Sequence, residues 1–587
     1  MNHLLEKLYK TQNKPIVKLI DGNYRLNSKY KIGNIELSNK TAILKLSNSS
    51  AKIFIDIDDL NGAYQYDKVL VQINFNPKGK TKARVIEILD RSDNRILCYV
   101  ENYNLFSVKE GVLIDCDSIN NRDGDIVIFN NGKISNILGN IAEPKIDEKI
   151  SLYLYNEYYR LDTQEFKFEK LDTSNRIDLT NLDFCTIDPA SAKDHDDAIY
   201  FDKKTDELYV AIADVSAYVK DGDHLDIEAF KRSFSIYLPN KVLPMLPFEL
   251  STDLCSLVPN KVRPAFVFKI KLDLKNSIVL NSTVFEAIIE SKHKYSYEFI
   301  DDVLKEKDEK NRQVQLYEIT KKFRDKRLKN GYDFRSDEIR LILDDDENLQ
   351  SYNTETSSPS HSLVEECMLL ANQEAAKKLK TLGIFRIHDE PTPNKIKKLL
   401  GDVNALGIKA QLKSDVHSTI VSIQQKSKNV DLEQEVDELI IQSQQQASYS
   451  SIKKEHFGLG FKNYSHFTSP IRRYSDLILH RILKTGKVPK GIEDICEQIS
   501  IKEREIASLV WDYEDRKYAR YLNKNIHKNF IGKIVDIENC IVKLDDIKVK
   551  GARVYLENYS GQKLFTQVEV KIKSSDIISK KIIAELL

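Results

Sequence analysis

Four aspartates lie within ten residues in the stretch TIDPASAKDHDDAIYF, residues 186–201. They are Asp188, Asp194, Asp196 and Asp197, and the segments on either side, FCTI and AIYF, are apolar and typical of buried strands. Like charges a few ångströms apart disfavour joint ionisation, so this cluster is costly to fold unless a cation compensates it. Because carboxylate oxygens suit hard divalent cations, the cluster predicts a magnesium site, with manganese as an alternative.

The order of the residues indicates how this cluster is assembled. Asp188 follows the FCTI strand and Pro189 restricts the chain at its exit, whereas the other three aspartates can converge from a loop. An EF-hand loop beginning at Asp188 would need Gly at its sixth position and Glu at its twelfth, where this chain has Lys193 and Ile199. A solvated acidic turn is the other alternative, and the flanking apolar segments argue against it.

Length and composition indicate a globular chain of several domains. Its 587 residues exceed the ~250–300 at which a single core stops growing. The sequence has no apolar run of about 18 residues, the length that a membrane span needs. Its first residues lack the apolar core of a signal peptide, so we expect a cytoplasmic protein. The seven cysteines are scattered, which disfavours a zinc site or disulfides. Equal numbers of basic and acidic residues, 89 each, give no global nucleic-acid signal but leave room for a local basic channel.

Short strand patterns occupy both ends of the chain. After a short N-terminal segment, residues 1–30, residues 31–92 contain about five alternating runs that predict a small barrel such as an OB-fold. Residues 93–160 repeat the theme and predict a second barrel, and residues 524–587 predict a third. The third has 12 Lys/Arg against 8 Asp/Glu, an excess that fits either a surface that follows phosphates or a solvated face.

Between these barrels, residues 161–523 mix strands and helices, so the fold class is multidomain α+β. YVAIADVSAYV and AFVFKIKLDL predict strands by their β-branched and aromatic content. SLVEECMLLANQEAAKKLKTLG predicts a helix that stops at Gly383. SPIRRYSDLILHRILKTGK predicts a helix capped by Ser469, with Pro470 at its first position and Gly486 at its end, and a long charged helix follows it.

The aspartate stretch and four further segments resemble one family. DFCTIDPASAKDHDDAIYF is similar to the aspartate signature of the RNB ribonucleases, the family of ribonuclease II, ribonuclease R and the exosome-associated homologues. SIYLPNKVLPMLPFELSTDLCSLVPNKVRP, SLVEECMLLAN, FRIHDEP and HFTSPIRRYSDLILHR follow in the expected order, and the last two are closer to ribonuclease R. Family members carry two cold-shock-type OB barrels before the mixed α/β catalytic domain and one S1-type OB barrel after it, which matches the strand pattern.

The resemblance implies a hydrolytic, processive 3′→5′ exoribonuclease of RNA decay and processing. It would bind single-stranded RNA with a free 3′ end in a channel and release nucleoside 5′-monophosphates. Asp188 and Asp197 would ligate the first magnesium ion, and Asp194 and Asp196 would complete a catalytic site for two-metal in-line attack. We expect a monomer without an obligate protein partner.

Two arginines follow the predicted cap of the HFTSPIRRY segment. Arg472 and Arg473 would lie in the first turn of that helix, where free N–H groups attract phosphate. By the resemblance, Arg472 stabilises charge on the scissile phosphate as a catalytic residue, and Arg473 contributes to RNA binding. An ordinary i,i+4 pair between Arg472 and Asp476 is the alternative.

Other RNA contacts follow from the resemblance alone. Tyr237 and Phe334 would clamp the terminal bases by stacking, and Tyr297 would lie near the 3′ end. Glu366 would accept a hydrogen bond from the ribose 2′-hydroxyl, which distinguishes RNA from DNA. Glu365 competes for that role, because neighbours on a helix point about 100° apart.

Two other functions stay open on the sequence. A catalytically inactive RNB-fold scaffold that binds RNA would be favoured by loss of one of the aspartates, yet all four are present together with Arg472. An endonuclease would need an open groove and not an end-clamping channel, which is a tertiary property. Arg386 and His388 of FRIHD would line the channel or serve the structure, and for His388 the structural role is favoured.

Overall fold

The structure is a computed structural model of the 587-residue chain. It describes residues 171–334 and 338–587 continuously; before them it describes Tyr9, 16–20, 23–38, 41–46, 52–56, 59–61, 63, 67–74, 82–90, 95–116, 119–130, 132–155 and Phe168. The chain forms two compact units. One comprises Met1–Tyr159 with Ser575–Lys581, and the other comprises Arg160–Ser574 with Ile582–Leu587.

The first part of the N-terminal unit is a closed five-stranded barrel. Its strands pair in the order Tyr30–Ser38, Thr41–Lys45, Lys52–Ile55, Lys82–Asp90 and Lys68–Asn74. Alternate side chains such as Ile35, Leu44 and Val85 point inward and form the core, as the period of a strand requires. A two-stranded hairpin, Val17–Ile20 with Asn23–Leu26, precedes the barrel.

The second part of this unit is an antiparallel sheet followed by a helix. The strands lie in the order Leu113–Ile114, Asn104–Ser107, Ile96–Glu101, Asp125–Asn130 and Lys133–Asn140, and the helix is Ile146–Tyr155. In the described residues no pairing closes this sheet into a barrel. The β-rich N-terminal region is therefore confirmed, and the assignment of its parts to the OB-fold stays a prediction.

A six-stranded sheet is the centre of the larger unit. Its order is Ile177–Asp178, Ile278–Ser296, Phe184–Asp188, Asp197–Asp202, Glu207–Ala213 and Val262–Asp273. The long strand Ile278–Ser296 also pairs with Val262–Asp273 along its first part, and near its end it runs parallel to Phe184–Asp188. The side chains of Phe184–Asp188 and Glu207–Ala213 are mostly buried, which explains the apolar runs in these two strands.

Helices and short hairpins surround this sheet. The helices are Val215–Tyr218, His224–Arg232, Tyr297–Glu306, Arg312–Arg327, Pro359–Lys378, Pro393–Ala405, Val416–Ser427, Glu433–Ser443, Tyr474–Thr485 and Ile492–Asn523, with a π-helical turn at Leu250–Leu254. The hairpins are Ile236–Leu238 with Lys241–Leu243, Glu338–Leu343 with Leu349–Glu355, and Leu382–Ile387 with Ser448–Ile452. Across the described part of the chain, no helix combines the length and apolarity needed to span a bilayer.

The predicted end of one helix was wrong. The helix ends at Lys378, and Gly383 belongs to the following strand, Leu382–Ile387. The reason is tertiary pairing, because Leu379 is already extended with ψ 139° and Leu382 pairs with Ile452 of the neighbouring strand. Gly383 therefore does not stop the helix, and a Cβ there would lie 2.7 Å from Cδ1 of Leu379. Gly486, in contrast, ends its helix in the left-handed conformation, as predicted.

The C-terminal region is a closed barrel, as the strand pattern predicted. Its strands pair in the order Asn529–Asp536, Ile541–Leu544, Arg553–Leu556, Ile582–Leu586 and Gln567–Ser575. Its core is shared with the end of the helix Ile492–Asn523, through Ala519 and Leu522, and with Leu341 and Leu349 of a hairpin. The barrel core is therefore continuous with the helix and the hairpin that precede it in the larger unit.

A close backbone contact yields a stability prediction. Gly460 has φ +70°, and a Cβ there would lie 2.6 Å from the backbone of Asn330 and Gly331. Gly460→Ala should lower the free energy of unfolding by about 2 kcal/mol or more, because backbone atoms cannot yield as a flexible side chain can. Urea denaturation measures this change. Gly401→Ala is the control: this helical glycine faces open space, so its replacement should stabilise by up to about 1 kcal/mol. Equal effects would contradict the prediction.

Candidate active site

Two neighbouring strands and the loop between them carry the four aspartates. Asp188 ends the strand Phe184–Asp188, and Asp197 begins the strand Asp197–Asp202. The connecting loop is fastened by Ser256, whose hydroxyl accepts a hydrogen bond from the His195 backbone N–H at 2.9 Å and donates one to the Lys193 carbonyl at 2.8 Å. The aspartates are therefore held by fixed backbone and do not sit on a free surface turn.

Asp188 and Asp197 are electrostatically coupled. Burial, followed by repulsion from Asp188, raises the pKa of Asp197 to about 8. An oxygen of Asp188 lies 2.6 Å from Nδ1 of His195, a ring that is almost fully buried. His195 therefore fixes the orientation of one carboxylate of the cluster.

Asp196 faces a second loop and keeps one oxygen without a partner. Its Oδ1 accepts a hydrogen bond from the Ile471 N–H at 2.8 Å. Its Oδ2 is buried and accepts no hydrogen bond from the described residues, and Nε of Arg472 lies 3.7 Å away. Burial raises the pKa of Asp196 well above its ordinary value, although Arg472 opposes the shift. The Oδ2 atom of Asp196 is thus suited to binding a cation.

Asp194 accepts a hydrogen bond from Tyr237, a residue to which the family resemblance gave a role in RNA binding. The phenol of Tyr237 donates a hydrogen bond to Asp194 at 2.9 Å, and 43% of the tyrosine remains exposed. Burial of the phenol and the nearby Asp194 raise the pKa of Tyr237. The structure therefore brings Tyr237 and the aspartate cluster together.

The predicted helix start at Ser469 was wrong. The helix begins at Tyr474 with Arg473 as its N-cap, and residues 469–473 form a turn. The reason is a competing backbone interaction, because the Ser235 N–H bonds to the Arg472 carbonyl at 3.0 Å and the Tyr474 N–H bonds to the Ser233 carbonyl at 2.9 Å. Arg472 and Arg473 therefore do not lie in the first turn of a helix, and the expected phosphate site at a helix N-terminus does not form there.

The two arginines differ in their partners. Arg473 is mostly buried and bonds to Asp476 through Nε at 3.0 Å and NH2 at 2.8 Å. Asp476 also accepts from the Ser469 N–H at 2.8 Å. The alternative pair between Arg472 and Asp476 is therefore wrong, since Arg473 occupies that carboxylate. Arg472 is 44% exposed beside Asp196.

Two of the predicted aromatic contacts lie in different surroundings. Tyr297 stacks on His361 with ring centroids 3.8 Å apart. Its pKa is raised by burial and then by the charges of Asp197 and Asp188, which places it beside the cluster. Phe334 instead packs on Tyr332 at 5.9 Å and lines a cavity of about 1070 Å³. In the described residues no contact joins Phe334 to the aspartates.

The two glutamates proposed for the 2′-hydroxyl also differ. Glu366 is buried and forms an ion pair with Arg327, with Nε of the arginine 3.1 Å away. Glu365 is 46% exposed and pairs with Arg324 at 3.0 Å. Glu366 is therefore a member of an internal ion pair in this structure, and Glu365 is the more accessible carboxylate.

The fit of the cluster to a divalent cation rests on its donors. Among the described residues, no three His, Cys, Asp or Glu side chains form a preassembled metal-binding group, because Asp188 and Asp194 are turned toward His195 and Tyr237. The buried, unpartnered oxygen of Asp196 and the raised pKa of Asp197 nevertheless call for positive charge. Since all of these donors are carboxylate oxygens, they fit magnesium or manganese.

Three residues around the site were not identified from the sequence. His195 lies between Asp194 and Asp196, so the spacing of the cluster could have suggested it. Ser256 and Lys294 come from distant segments, and the Lys294 ammonium bonds to the Ala192 carbonyl at 2.7 Å. No local pattern marks these two, because their role depends on tertiary contact.

The FRIHD segment has a structural role at His388. Its Nδ1 accepts a hydrogen bond from the Gly458 N–H at 2.9 Å, and its Nε2 lies 2.8 Å from the Gln445 carbonyl. Its ring packs beside His456 with centroids 5.1 Å apart. Arg386 bonds to Glu503 at 2.7 Å and lies over the Tyr449 ring. These contacts join the hairpin to its neighbours.

Comparison with known proteins identifies the family. The chain belongs to the RNB family, whose RNB domain matches residues 176–487. Ribonuclease R of Helicobacter pylori is 34% identical over 484 residues, which cover 77% of this chain and 74% of the relative. Ribonuclease R of Thermotoga maritima is 31% identical over 573 residues, covering 87% and 80%. The solved structure of Mycoplasma genitalium RNase R in complex with ribose-methylated single-stranded RNA is similar with a TM-score of 0.78 and 25% identity, covering 95% of this chain and all of that one.

The buried pair beneath the 469–473 turn gives a second prediction. Asp476→Asn should lower the free energy of unfolding by about 3 kcal/mol, because the buried Arg473 guanidinium loses its counter-charge. Urea denaturation measures the change. Asp302→Asn is the control, since it breaks an exposed pair with Lys305 and should cost less than about 1 kcal/mol. A similar small loss for Asp476→Asn would show that the pair does not hold the turn.

The lowered pKa of His456 predicts a pH dependence of stability. Burial, His388 and Arg386 together lower the pKa of His456 to about 3, against about 6.5 in an unfolded chain. The unfolded state therefore binds the proton more tightly, so the contribution is fully present above pH ~6.5 and is lost as the pH falls toward ~3. His456→Gln should flatten the dependence between pH 4 and 6 by up to about 1.4 kcal/mol per pH unit. Urea denaturation of both proteins across this range would refute the prediction if the two slopes coincide.

Proposed function

We propose that this chain is a processive, hydrolytic 3′→5′ exoribonuclease that degrades single-stranded RNA to nucleoside 5′-monophosphates. One observation carries the proposal: in an RNB-family chain, Asp196 keeps a buried oxygen without a hydrogen-bond partner among the described residues, 3.7 Å from Nε of Arg472. Membership of the family and similarity to ribonuclease R over most of the chain support the same activity. We further propose that it acts as a cytoplasmic monomer in RNA decay and processing.

The aspartates would hold two divalent ions, magnesium or manganese. Asp188 and Asp197 would bind the first ion, and Asp194 and Asp196 would complete the site. When bound, such ions supply a water of lowered pKa and offset the charge on the leaving oxygen. The Ile471 N–H would keep Asp196 oriented, and binding would draw Asp188 and Asp194 away from their present hydrogen-bond partners.

Arg472 would bind the scissile phosphate. Its guanidinium is partly exposed and lies close to Asp196, so it can donate forked hydrogen bonds to phosphate oxygens at the cluster. Arg473 would act on RNA indirectly by holding the 469–473 turn through Asp476. Charge that develops on the phosphate would thus meet a donor already in position.

The RNA chain would be held by stacking and by one ribose contact. Tyr237 would stack on a terminal base, and Tyr297 would lie near the 3′ end. Phe334 would contact bases in the wall of the large cavity. Glu366 would accept the 2′-hydroxyl only if its pair with Arg327 opens, and Glu365 is the alternative acceptor.

We propose a domain arrangement to match this function. Residues 31–92 and 93–160 would be cold-shock-type OB barrels after the N-terminal segment 1–30, residues 161–523 the RNB domain, and residues 524–587 an S1-type OB barrel. The closed five-stranded barrels at residues 30–90 and 529–586 support this interpretation. OB barrels bind single strands with a cationic groove and aromatic platforms.

A matched pair of aspartate variants tests the activity. With 5′-labelled single-stranded RNA and magnesium, the chain should release mononucleotides and leave a very short labelled product. Asp196→Asn should lower turnover by roughly 10³-fold while RNA still binds, because the cation site loses a charged ligand. Asp202→Asn, at the far end of the strand that follows Asp196, should retain activity. EDTA should abolish turnover.

Two outcomes would contradict this proposal. A ladder of internal cuts would indicate an endonuclease, and equal degradation of a DNA of the same sequence would exclude an exoribonuclease. RNA binding without turnover by the unmodified chain would instead favour the RNA-binding scaffold.

A further inference from the structure

Three cations form a row across the outside of the C-terminal barrel. Lys533 of the first barrel strand lies directly opposite Lys543 of the second, and Lys543 lies directly opposite Arg553 of the third. Residues paired in this way project from the same face with Cβ atoms about 5 Å apart. The row is therefore continuous over three neighbouring strands.

Such a row is unfavourable by itself. Like charges directly opposite one another on a sheet repel, so the arrangement needs anions nearby. Counterions in water weaken the repulsion between exposed groups but do not remove it at this spacing. The barrel thus presents a linear site for an extended anion.

The helix Glu433–Ser443 supplies two anions to this row. Glu435 bonds to the Lys533 ammonium at 2.7 Å, and Glu438 bonds to the Lys543 ammonium at 3.2 Å. The glutamates are three residues apart on the helix, so they lie on one face. Arg553, the third cation, is exposed and forms no ion pair with any described residue.

The opposite face of this helix is anchored independently of the glutamates. Val436, Leu439 and Ile440 are buried in an apolar cluster formed with the neighbouring helices. A cavity of about 120 Å³ lies in the seam between the glutamate face and the barrel. The ion pairs are consequently peripheral to the folded core, and their loss should leave the helix in place.

We propose that Glu435 and Glu438 occupy the cation row of the barrel in place of RNA phosphates, and that the backbone of a bound RNA displaces them. This inference rests on the proposed function, because RNA is the polyanion. The unpaired Arg553 would be the first contact, and the strand would then exchange with the two glutamates. Only an RNA long enough to reach the barrel would bring about this exchange.

The surroundings of the row favour RNA over other polyanions. Tyr555 lies two residues after Arg553 on the same strand face and is 38% exposed. An aromatic ring beside a line of cations suits a single strand, because bases stack on the ring while phosphates bind the cations. The two ion pairs are partly exposed, with lysine exposures of 40% and 38%, so salt weakens them and makes them displaceable.

Glutamine substitution of both glutamates tests the inference. The double variant Glu435→Gln/Glu438→Gln is made in the Asp196→Asn background, and its affinity for a fluorescent 20-nucleotide oligo(A) is measured by anisotropy at several KCl concentrations. Freed lysines should tighten binding by roughly fivefold at 100 mM KCl. They should also steepen the dependence on log salt by up to about two. A 4-nucleotide RNA should show no gain.

Two further variants isolate the cause. Glu493→Gln/Glu497→Gln removes the same charge from an exposed face of the helix Ile492–Asn523 and should leave the affinity unchanged. Adding Lys533→Gln/Lys543→Gln to the glutamine pair should cancel the gain. Thermal unfolding of every variant verifies that the fold is retained.

The outcomes separate this inference from the proposed function. If RNA binds and the Glu435→Gln/Glu438→Gln variant binds it no more tightly, the displacement proposal is overturned while the nuclease proposal stands. An equal gain from the control pair would also overturn it, because net charge would then be the cause. Failure of every variant to bind RNA would overturn both proposals.

Discussion

The bond between Asp196 and the Ile471 N–H is the contact on which the site depends. It joins the aspartate loop, which extends from the central sheet, to the 469–473 turn that carries Arg472. Each side of the contact is fixed separately, since Ser256 holds the loop and Asp476 holds the turn. The Asp196 carboxylate and the Arg472 guanidinium are thereby held 3.7 Å apart, within salt-bridge distance but without a hydrogen bond between them.

Two buried carboxylates in this molecule have pKa values shifted in opposite directions. Burial alone would raise the pKa of Asp214, but Lys484 and Arg176 lower it to about 2, so this carboxylate is neutralised within the fold. In the cluster, burial prevails and the pKa of Asp197 rises to about 8. Asp214 has cationic partners within the fold, whereas the cluster has a deficit of positive charge. Groups with strongly shifted pKa values of this kind are concentrated at functional sites.

The sequence predicted the parts of the site that are local and missed those that are tertiary. The aspartate cluster, the mixed central region and the C-terminal barrel followed from spacing and alternation. The predicted helix start at Ser469 was wrong because residues 233–235 form backbone hydrogen bonds with Arg472 and Tyr474. No capping pattern in the sequence indicates these hydrogen bonds. Ser256 and Asp476 were missed as supports for the same reason, as was the burial of Glu366 against Arg327. The direction of a side chain on a helix can be predicted only when the elements packed against that helix are known.

Equal numbers of acidic and basic residues mean that attraction to RNA must come from local arrangement. A row of cations strong enough to hold phosphates would also repel itself in the unbound protein. Internal glutamates resolve this conflict, because they lower the repulsion in the free state and are themselves weakly held at the surface. The aspartate cluster shows the same imbalance with the signs reversed, because Asp196 keeps a buried oxygen without a hydrogen-bond partner among the described residues. On the proposals above, divalent ions would complete the cluster and RNA phosphates would complete the row.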